Sequence, residues 1–383
     1  MSIYLNTRRY QNLNLSIKKI FKLDLLIYRM IKRLKIKNFK SYRDSELEFG
    51  KVNVVVGGSS TGKTNLVDAF GFLKHVIRPI SYPPLRYVRL GDYKNVVFMQ
   101  DENLDVSFEI DGEYKGKGYH YEISIDNLQI KKEIIDFDSY SIERRVNMIR
   151  YEGKEITIPD DLSVFSLSSD LDFNLPPEFS NFLTNLPNDV GVFRIVPQMA
   201  VSPVRYTPTE TLDENGYGLV SVITNKLFRI NEVKQIHDFL TENNISLKPV
   251  FTEDKSVSLY FIERSENKEL ILPPTSVPDG FIKMLTILTA VYLLGISTII
   301  IDEIENSLNL KYIERLVDVM RYSSSQFIVT THSPLIIDFM DPSEIIILDK
   351  ERGETKVNRV RDPEKLRERL AENGILLSEW LLY

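Results

Sequence analysis

Gly57, Gly62, Lys63 and Thr64 carry the types and spacing G-x-x-x-x-G-K-[ST], within the stretch VVVGGSSTGKTNLVDAF at positions 54–70. Chemistry that needs this arrangement is the holding of phosphate. Glycines let successive backbone N–H groups curl round phosphate oxygens, and the N-terminus of a following helix adds the positive end of its dipole. Gly57, Gly58, Ser59, Ser60, Thr61, Gly62, Lys63, Thr64 and Asn65 are therefore the expected nucleotide-binding residues, with Lys63 reaching the β- and γ-phosphates of ATP and the Thr64 hydroxyl on Mg²⁺.

Two further groups could complete such a site. The run STIIIDEIENSLNL (297–310) ends its apolar part in Asp302 and Glu303. Asp302 is expected to hold Mg²⁺, and Glu303 to act as general base on the attacking water. In QFIVTTHSPLIIDFM (326–340) a second apolar run ends near His332, where an imidazole could sense the γ-phosphate; Lys63, Glu303 and His332 form the expected catalytic set.

The elements that must carry these residues follow from apolar patterning. KVNVVV (51–56) is a β-branched run of the kind found in a buried strand, and Leu66, Ala69 or Phe70, Leu73, and Val76 or Ile77 recur beyond the glycines at helical spacing. Ser297–Asp302 and the run from Gln326 ending at His332 predict two more buried strands, separated by a helix with Ile313, Leu316, Val317 and Met320 on one face. From Val96 to Ile158 polar and apolar residues alternate, with turns at DGEYKGKG and YEGKE, which predicts an antiparallel β-subdomain. Residues 160–250 are richer in proline and carry no sustained heptads, so loops and short helices are expected there.

Composition bounds what the rest can be. The 383 residues are 43% apolar and 27% charged, enough for a large core in two lobes. The absence of cysteine removes disulfides and thiolate metal sites, and His75, His120, His237 and His332 are scattered without ligand spacing. No apolar run is long enough to span a bilayer, and the N-terminus lacks the pattern of a secretory signal, so a cytoplasmic location and no membrane partner are expected. Neither SVFSLSSD nor YSSSQ resembles a G-x-S-x-G elbow, which argues against a serine hydrolase. A net charge of −6 confines nucleic-acid binding to a local patch. Such a patch is expected in the first 43 residues, where Arg8, Arg9, Lys18, Lys19, Lys22, Arg29, Lys32, Arg33, Lys35, Lys37, Lys40 and Arg43 face few acids in sequence. A solvated extension is the alternative.

Lys63 and Asp302 lie far apart in sequence, whereas AAA+ and RecA-like engines close this gap in well under half that distance; the ABC-type branch accommodates such an insertion. The chain in fact resembles the coiled-coil-free ATPases of the RecF/SMC type, in particular the ATPase half of OLD-family proteins. The resemblance rests, in order, on LKIKNFKSY, GGSSTGKTNL, LDENGYGLVSVITNKL, PDGFIKMLTILTAV, IIIDEIENSLN and IVTTHSPLIID, and spans residues 30 to about 350. It implies an α/β P-loop fold with an ABC-type head, a mixed sheet core, an antiparallel β-subdomain and a helical lid. It also implies an ATP-gated homodimer, in which each nucleotide is gripped by the phosphate loop of one subunit and the signature turn of the other. By that similarity Asp279, Gly280 and Lys283 belong to the signature, residues 306–309 to the interface D-loop, and Gln100 is the candidate metal-side glutamine. The chain departs from the family pattern at three places: Pro278 stands where serine usually precedes Asp-Gly, Ser59 replaces an asparagine and Asn309 a histidine.

The expected organisation is a basic extension at 1–29, an N-terminal ATPase lobe with phosphate loop and β-subdomain at 30–158, a lid or arm at 159–255, a C-terminal ATPase lobe at 256–350 and a tail at 351–383. The expected function is slow hydrolysis of MgATP in DNA maintenance or mobile-element defence. The rival is a nucleotide-dependent scaffold with vestigial hydrolysis that recruits an effector protein through the lid or the tail.

Overall fold

The computed structural model of the chain describes residues 30–79, 91–127, 129–167, 174–208, 210–265 and 268–381. The basic extension expected at 1–29 lies outside the described residues. Among the described residues three sheets carry the fold. The strands are β1 (Met30–Phe39), β2 (Tyr42–Glu48), β3 (Val52–Val56), β4 (Val106–Tyr114), β5 (Lys117–Ile125), β6 (Ile130–Phe137), β7 (Tyr140–Arg145), β8 (Met148–Tyr151), β9 (Lys154–Thr157), β10 (Val190–Phe193), β11 (Val204–Arg205), β12 (Ile245–Phe251), β13 (Ser256–Ser265), β14 (Lys268–Leu272), β15 (Thr298–Ile301), β16 (Gln326–Thr330), β17 (Ile345–Glu351) and β18 (Glu354–Arg359).

The central sheet runs β10-β15-β16-β3-β17-β18, parallel except for the antiparallel edge strand β18. Its strands are short apolar runs because both faces are covered. Alternate residues of β3 serve different cores: Val52, Val54 and Val56 pack on one side of the sheet and Val55 on the other. Helix α1 (Lys63–Ile77) buries Leu66, Phe70 and Leu73 against the second of these cores. Helices α2 (Asp279–Leu288) and α3 (Leu310–Tyr322) cover the first with Met284, Leu285, Leu316 and Met320. The result is the α/β P-loop head with mixed sheet core that the sequence predicts.

The expected antiparallel β-subdomain is an eight-stranded sheet in the order β2-β1-β4-β5-β6-β7-β8-β9. Burial alternates residue by residue along β4, as one-sided packing requires. This sheet changes the reading of the basic strand. Lys32 pairs with Glu113, Arg33 with Glu46, Glu109 and Asp111, Lys35 with Glu109, Lys40 with Asp68, and Arg43 with Glu354. Lysines and arginines without acidic neighbours in sequence have them across β1–β4, because antiparallel register sets Arg33 opposite Asp111 and Lys35 opposite Glu109. Lys32, Arg33, Lys35, Lys40 and Arg43 of the expected DNA-contacting stretch are thus each paired with an acid within the chain.

The region expected as a lid, 159–255, does not stand apart from the core. β10 forms the edge of the parallel sheet beside β15, and Leu219, Val220, Val222 and Ile223 are buried in the core around α2. The expected boundary at 255 falls in the turn between β12 and β13, which pair along their length. Proline content marked the connections here, while the strand itself is only the four residues VGVF. Among the described residues no helix is long and apolar enough to cross a membrane.

Candidate functional site

Parallel strands place all their C-terminal ends along one edge of a sheet, and four of them contribute here. β3 runs into the phosphate loop, β15 into Asp302 and Glu303, β16 into Thr331 and His332, and β10 into Arg194. The structure therefore brings residues separated by most of the chain to one edge.

The loop curls through Gly57–Gly62 into α1. Gly62 sits at φ 113°, and a Cβ there would lie 2.3 Å from Thr355 Oγ1, so the turn needs glycine both for its left-handed backbone and for its closeness to β18. The contact is part of a clamp behind the loop. Thr355 donates to the Thr61 carbonyl at 2.8 Å, Ser41 and Thr355 hydroxyls meet at 2.7 Å, Asn65 donates to Ser41, and Tyr42 donates to the Gly62 carbonyl at 3.0 Å. Gly58, Ser59, Ser60 and Thr64 are exposed at the mouth. Lys63 Nζ donates to the carbonyls of Gly57 and Gly58 at 2.7 and 2.8 Å. Burial lowers the pKa of its ammonium, against the opposing pull of Asp302, Glu303 and Glu305.

The Asp302–Glu303 pair is fixed by Thr330 and Arg194, which sequence reasoning did not single out, and by Lys283 and Asn306, which it placed in the expected signature and D-loop. Thr330, at the end of β16, donates to Asp302 Oδ1 at 2.6 Å and accepts from the Glu303 N–H at 2.8 Å. Asp302 Oδ2 takes the Arg194 Nε–H at 3.2 Å. Glu303 has a left-handed backbone, φ 47°, and its carbonyl receives Lys283 Nζ at 3.0 Å. Lys283 is buried, which pushes its pKa down to about 8 against the attraction of Glu305, Glu303 and Asp302. Asn306 donates to the Glu303 carboxylate at 2.7 Å. Glu305 accepts from the Thr331 hydroxyl at 2.8 Å and from the His332 N–H at 2.6 Å, tying the segment after β15 to the one after β16. The His332 side chain is exposed at the same edge. The available signals were a polar residue closing each apolar run: Thr330 after QFIV and Arg194 after VGVF.

The segment expected as the signature stands at the start of α2. Gly280 approaches the D-loop backbone so closely that a Cβ would lie 2.2 Å from the Ser307 carbonyl oxygen. Asp279 accepts from the Gln198 side-chain amide at 2.9 Å. Pro278 precedes the helix, with Thr275 and Ser276 exposed in the turn before it. Asn309 caps α3, accepting from the Tyr312 N–H at 3.0 Å. Gln100 is exposed in a left-handed turn, and its neighbour Met99 packs on the position a Gly353 Cβ would take.

Whether these residues suit MgATP can be tested on the donor set. Among the described residues no three His, Cys, Asp or Glu side chains are grouped to hold a metal by themselves. Mg²⁺ in nucleotide sites is held by one or two protein oxygens together with phosphates and water, and an oriented Asp302 near an exposed Thr64 meets that need. The fit is to a cation that arrives with the nucleotide.

The chain is similar to several known proteins. Residues 52–338 match the family described as "AAA domain, putative AbiEii toxin, Type IV TA system". An OLD nuclease of Thermus scotoductus is 25% identical over 364 residues, covering 88% of this chain and 65% of the relative, so the match takes in less than two thirds of that protein's length. An ATP/GTP phosphatase of Helicobacter pylori is 24% identical over 351 residues, covering 82% of this chain and 88% of the relative. A solved SMC head, bound in its crystal to the C-winged helix domain of ScpA, superposes with a TM-score of 0.54 at 16% identity over 86% of this chain and 98% of its own.

Proposed function

Because the chain belongs to this AAA-domain family and is an OLD-like ATPase of the ABC, RecF/SMC type, we propose that it binds MgATP at the edge described above and hydrolyses it slowly as an ATP-gated homodimer. One observation supports this most strongly: at the strand ends beside the phosphate loop the Asp302 carboxylate is held by Thr330 and Arg194, while Thr330 and Lys283 hold the backbone of Glu303 and Asn306 its carboxylate. Preorganised carboxylates of this kind are what phosphoryl transfer asks of a protein, since positioning and electrostatics supply nearly all of its catalysis. Residues 57–65 hold the phosphates, with Lys63 as the mobile cation, and Thr64 and Asp302 hold Mg²⁺, with Gln100 the further candidate. Bound Mg²⁺ would neutralise charge on the β- and γ-phosphates. Glu303 takes the proton of the attacking water, and His332 lies on the edge where a γ-phosphate sensor is needed. Asp279 and Gly280 would meet the partner's nucleotide.

A role in DNA maintenance or in defence against mobile elements is what the family resemblance implies, and effector recruitment is the second reading. Pro278 favours that second reading, because it offers no hydroxyl where the family places serine. Turnover separates the two: DNA-stimulated hydrolysis supports the first, and tight ATP binding without turnover the second. Glu303→Gln keeps the shape of the side chain and removes the base, so hydrolysis should fall by roughly 10² while nucleotide binding persists. Light scattering should then show the mass double with ATP and not with ADP. A Glu303→Gln protein that binds MgATP yet stays monomeric would refute the gated dimer.

A further inference from the structure

The motif LDENGYG has no part in the chemistry above, and the structure sets it against Asp302. Arg194 follows β10 directly, where the Asp302 N–H bonds to the Phe193 carbonyl at 3.0 Å. Its guanidinium, 11% exposed, reaches three carboxylates: Asp302 Oδ2 at 3.2 Å, Asp68 Oδ1 on α1 at 2.6 Å, and Glu214. It also lies 3.5 Å from the Thr64 carbonyl. Glu214 is delivered by a built turn, since the Asp213 carboxylate accepts from the Asn215 and Tyr217 N–H groups at 2.8 Å each. Backbone bonds from Arg194 N–H to the Glu214 carbonyl and from Val196 N–H to the Asn215 carbonyl bolt that turn to the end of β10.

We propose that Arg194 is the resident counter-charge of Asp302, which a divalent cation arriving with nucleotide must displace, and that Glu214 holds the guanidinium ready to yield. The proposal rests on the MgATP reading of the site. With Thr330 on Oδ1 and Arg194 on Oδ2, both oxygens of Asp302 are engaged, so an incoming cation competes directly with a fixed positive charge. Arg194 need not be stranded when it yields. Asp68 and Glu214 keep it paired, and only the planar fork of arginine spans three acids in this way. The arrangement makes occupancy of Asp302 conditional: a cation alone must overcome the guanidinium, whereas a cation carried by triphosphate brings the phosphate contacts of residues 57–65 with it.

The test is the half-saturating Mn²⁺ concentration, read by water-proton relaxation in the presence of a non-hydrolysable ATP analogue, for the full chain and three variants. Removing a unit charge a few ångströms from the cation in Arg194→Gln should lower that concentration about tenfold or more. Glu214→Gln should raise it, because Arg194 loses its alternative partner, and Arg194→Lys should lie between wild type and Arg194→Gln. Opposite shifts from Arg194→Gln and Glu214→Gln are a signature that loss of packing would not produce. Should Arg194→Gln fail to fold, Arg194→Lys and Glu214→Gln retain the contrast. Unchanged or raised half-saturation in folded Arg194→Gln, or a Glu214→Gln shift in the same direction, overturns the proposal while leaving the nucleotide site intact. A wild-type chain that does not bind the analogue overturns the nucleotide reading itself, and this proposal with it.

Discussion

Replacing Thr330 by valine removes one hydroxyl and leaves the shape of the side chain, which makes it a clean probe of how the carboxylates are held. That hydroxyl donates to Asp302 Oδ1 at 2.6 Å and accepts from the Glu303 N–H at 2.8 Å, and Thr330 is 1% exposed. A hydrogen bond to a charged group contributes about 1.5–3 kcal/mol, and a buried donor left without a partner costs about 1–3 kcal/mol. Valine creates no cavity, so these two terms set the loss, and solvent at exposed Glu303 recovers part of the second. A destabilisation of about 3 kcal/mol follows, read as a lower urea midpoint at unchanged slope. The functional loss has a separate cause. Glu303 occupies a left-handed conformation, φ 47°, that costs a non-glycine residue on the order of 1 kcal/mol and is held by Thr330 at its N–H and Lys283 at its carbonyl. With one anchor gone, single-turnover hydrolysis should fall about tenfold to a hundredfold, the scale of a displaced general base. Thr330→Ser keeps the hydroxyl and should restore both readouts. If Thr330 acts through Glu303, adding Thr330→Val to Glu303→Gln should cost little further turnover. A Thr330→Val protein with wild-type midpoint and wild-type turnover would refute the reasoning.

Three further outcomes follow from other contacts. Burial, with Arg78 nearby, pushes the Lys74 pKa down to about 8 from 10.5, so between those pH values the unfolded chain binds the extra proton and stability rises with pH. Lys74→Met should lose its share of that rise, measured by urea unfolding between pH 7.5 and 9.5, and gain about 1–2 kcal/mol at pH 7 after losing the bond to the Val190 carbonyl. Arg144 and Glu133 form a fully buried pair at 3.6 Å, with Arg144 also on the Val146, Pro159 and Leu162 carbonyls and Glu133 on Tyr121, Ser163 and the Val164 N–H. Arg144→Met should therefore destabilise the antiparallel sheet by about 3–5 kcal/mol in chemical denaturation, because it strands a buried carboxylate. Gly280→Ala would force the signature helix away from Ser307, so nucleotide affinity by calorimetry should persist while the ATP-dependent gain in mass disappears.

Local pattern alone made the phosphate loop readable, because glycine spacing, the β-branched run before it and the helical repeat after it all lie within about two dozen residues. The Asp302–Glu303 pair and the neighbourhood of His332 were readable for the same reason, each closing a short apolar run that could only be a buried strand. The alternating stretch Val96–Ile158 likewise carries its own period, and it is an antiparallel sheet. What sequence could not supply is which distant groups meet. Arg194 finds Asp302 because β10 and β15 lie side by side in parallel, and Thr330 finds it because β16 lies on the other side of β15. Tertiary pairing also gave Lys32, Arg33 and Lys35 of the basic strand acidic partners, as β1 met the acids of β4 in register. Strand order is decided by burial of both faces of the sheet at once, a collective property with no local signature. Thr330 and Arg194, which orient Asp302, were therefore visible only in the folded chain, while the residues that name the chemistry were written in the sequence.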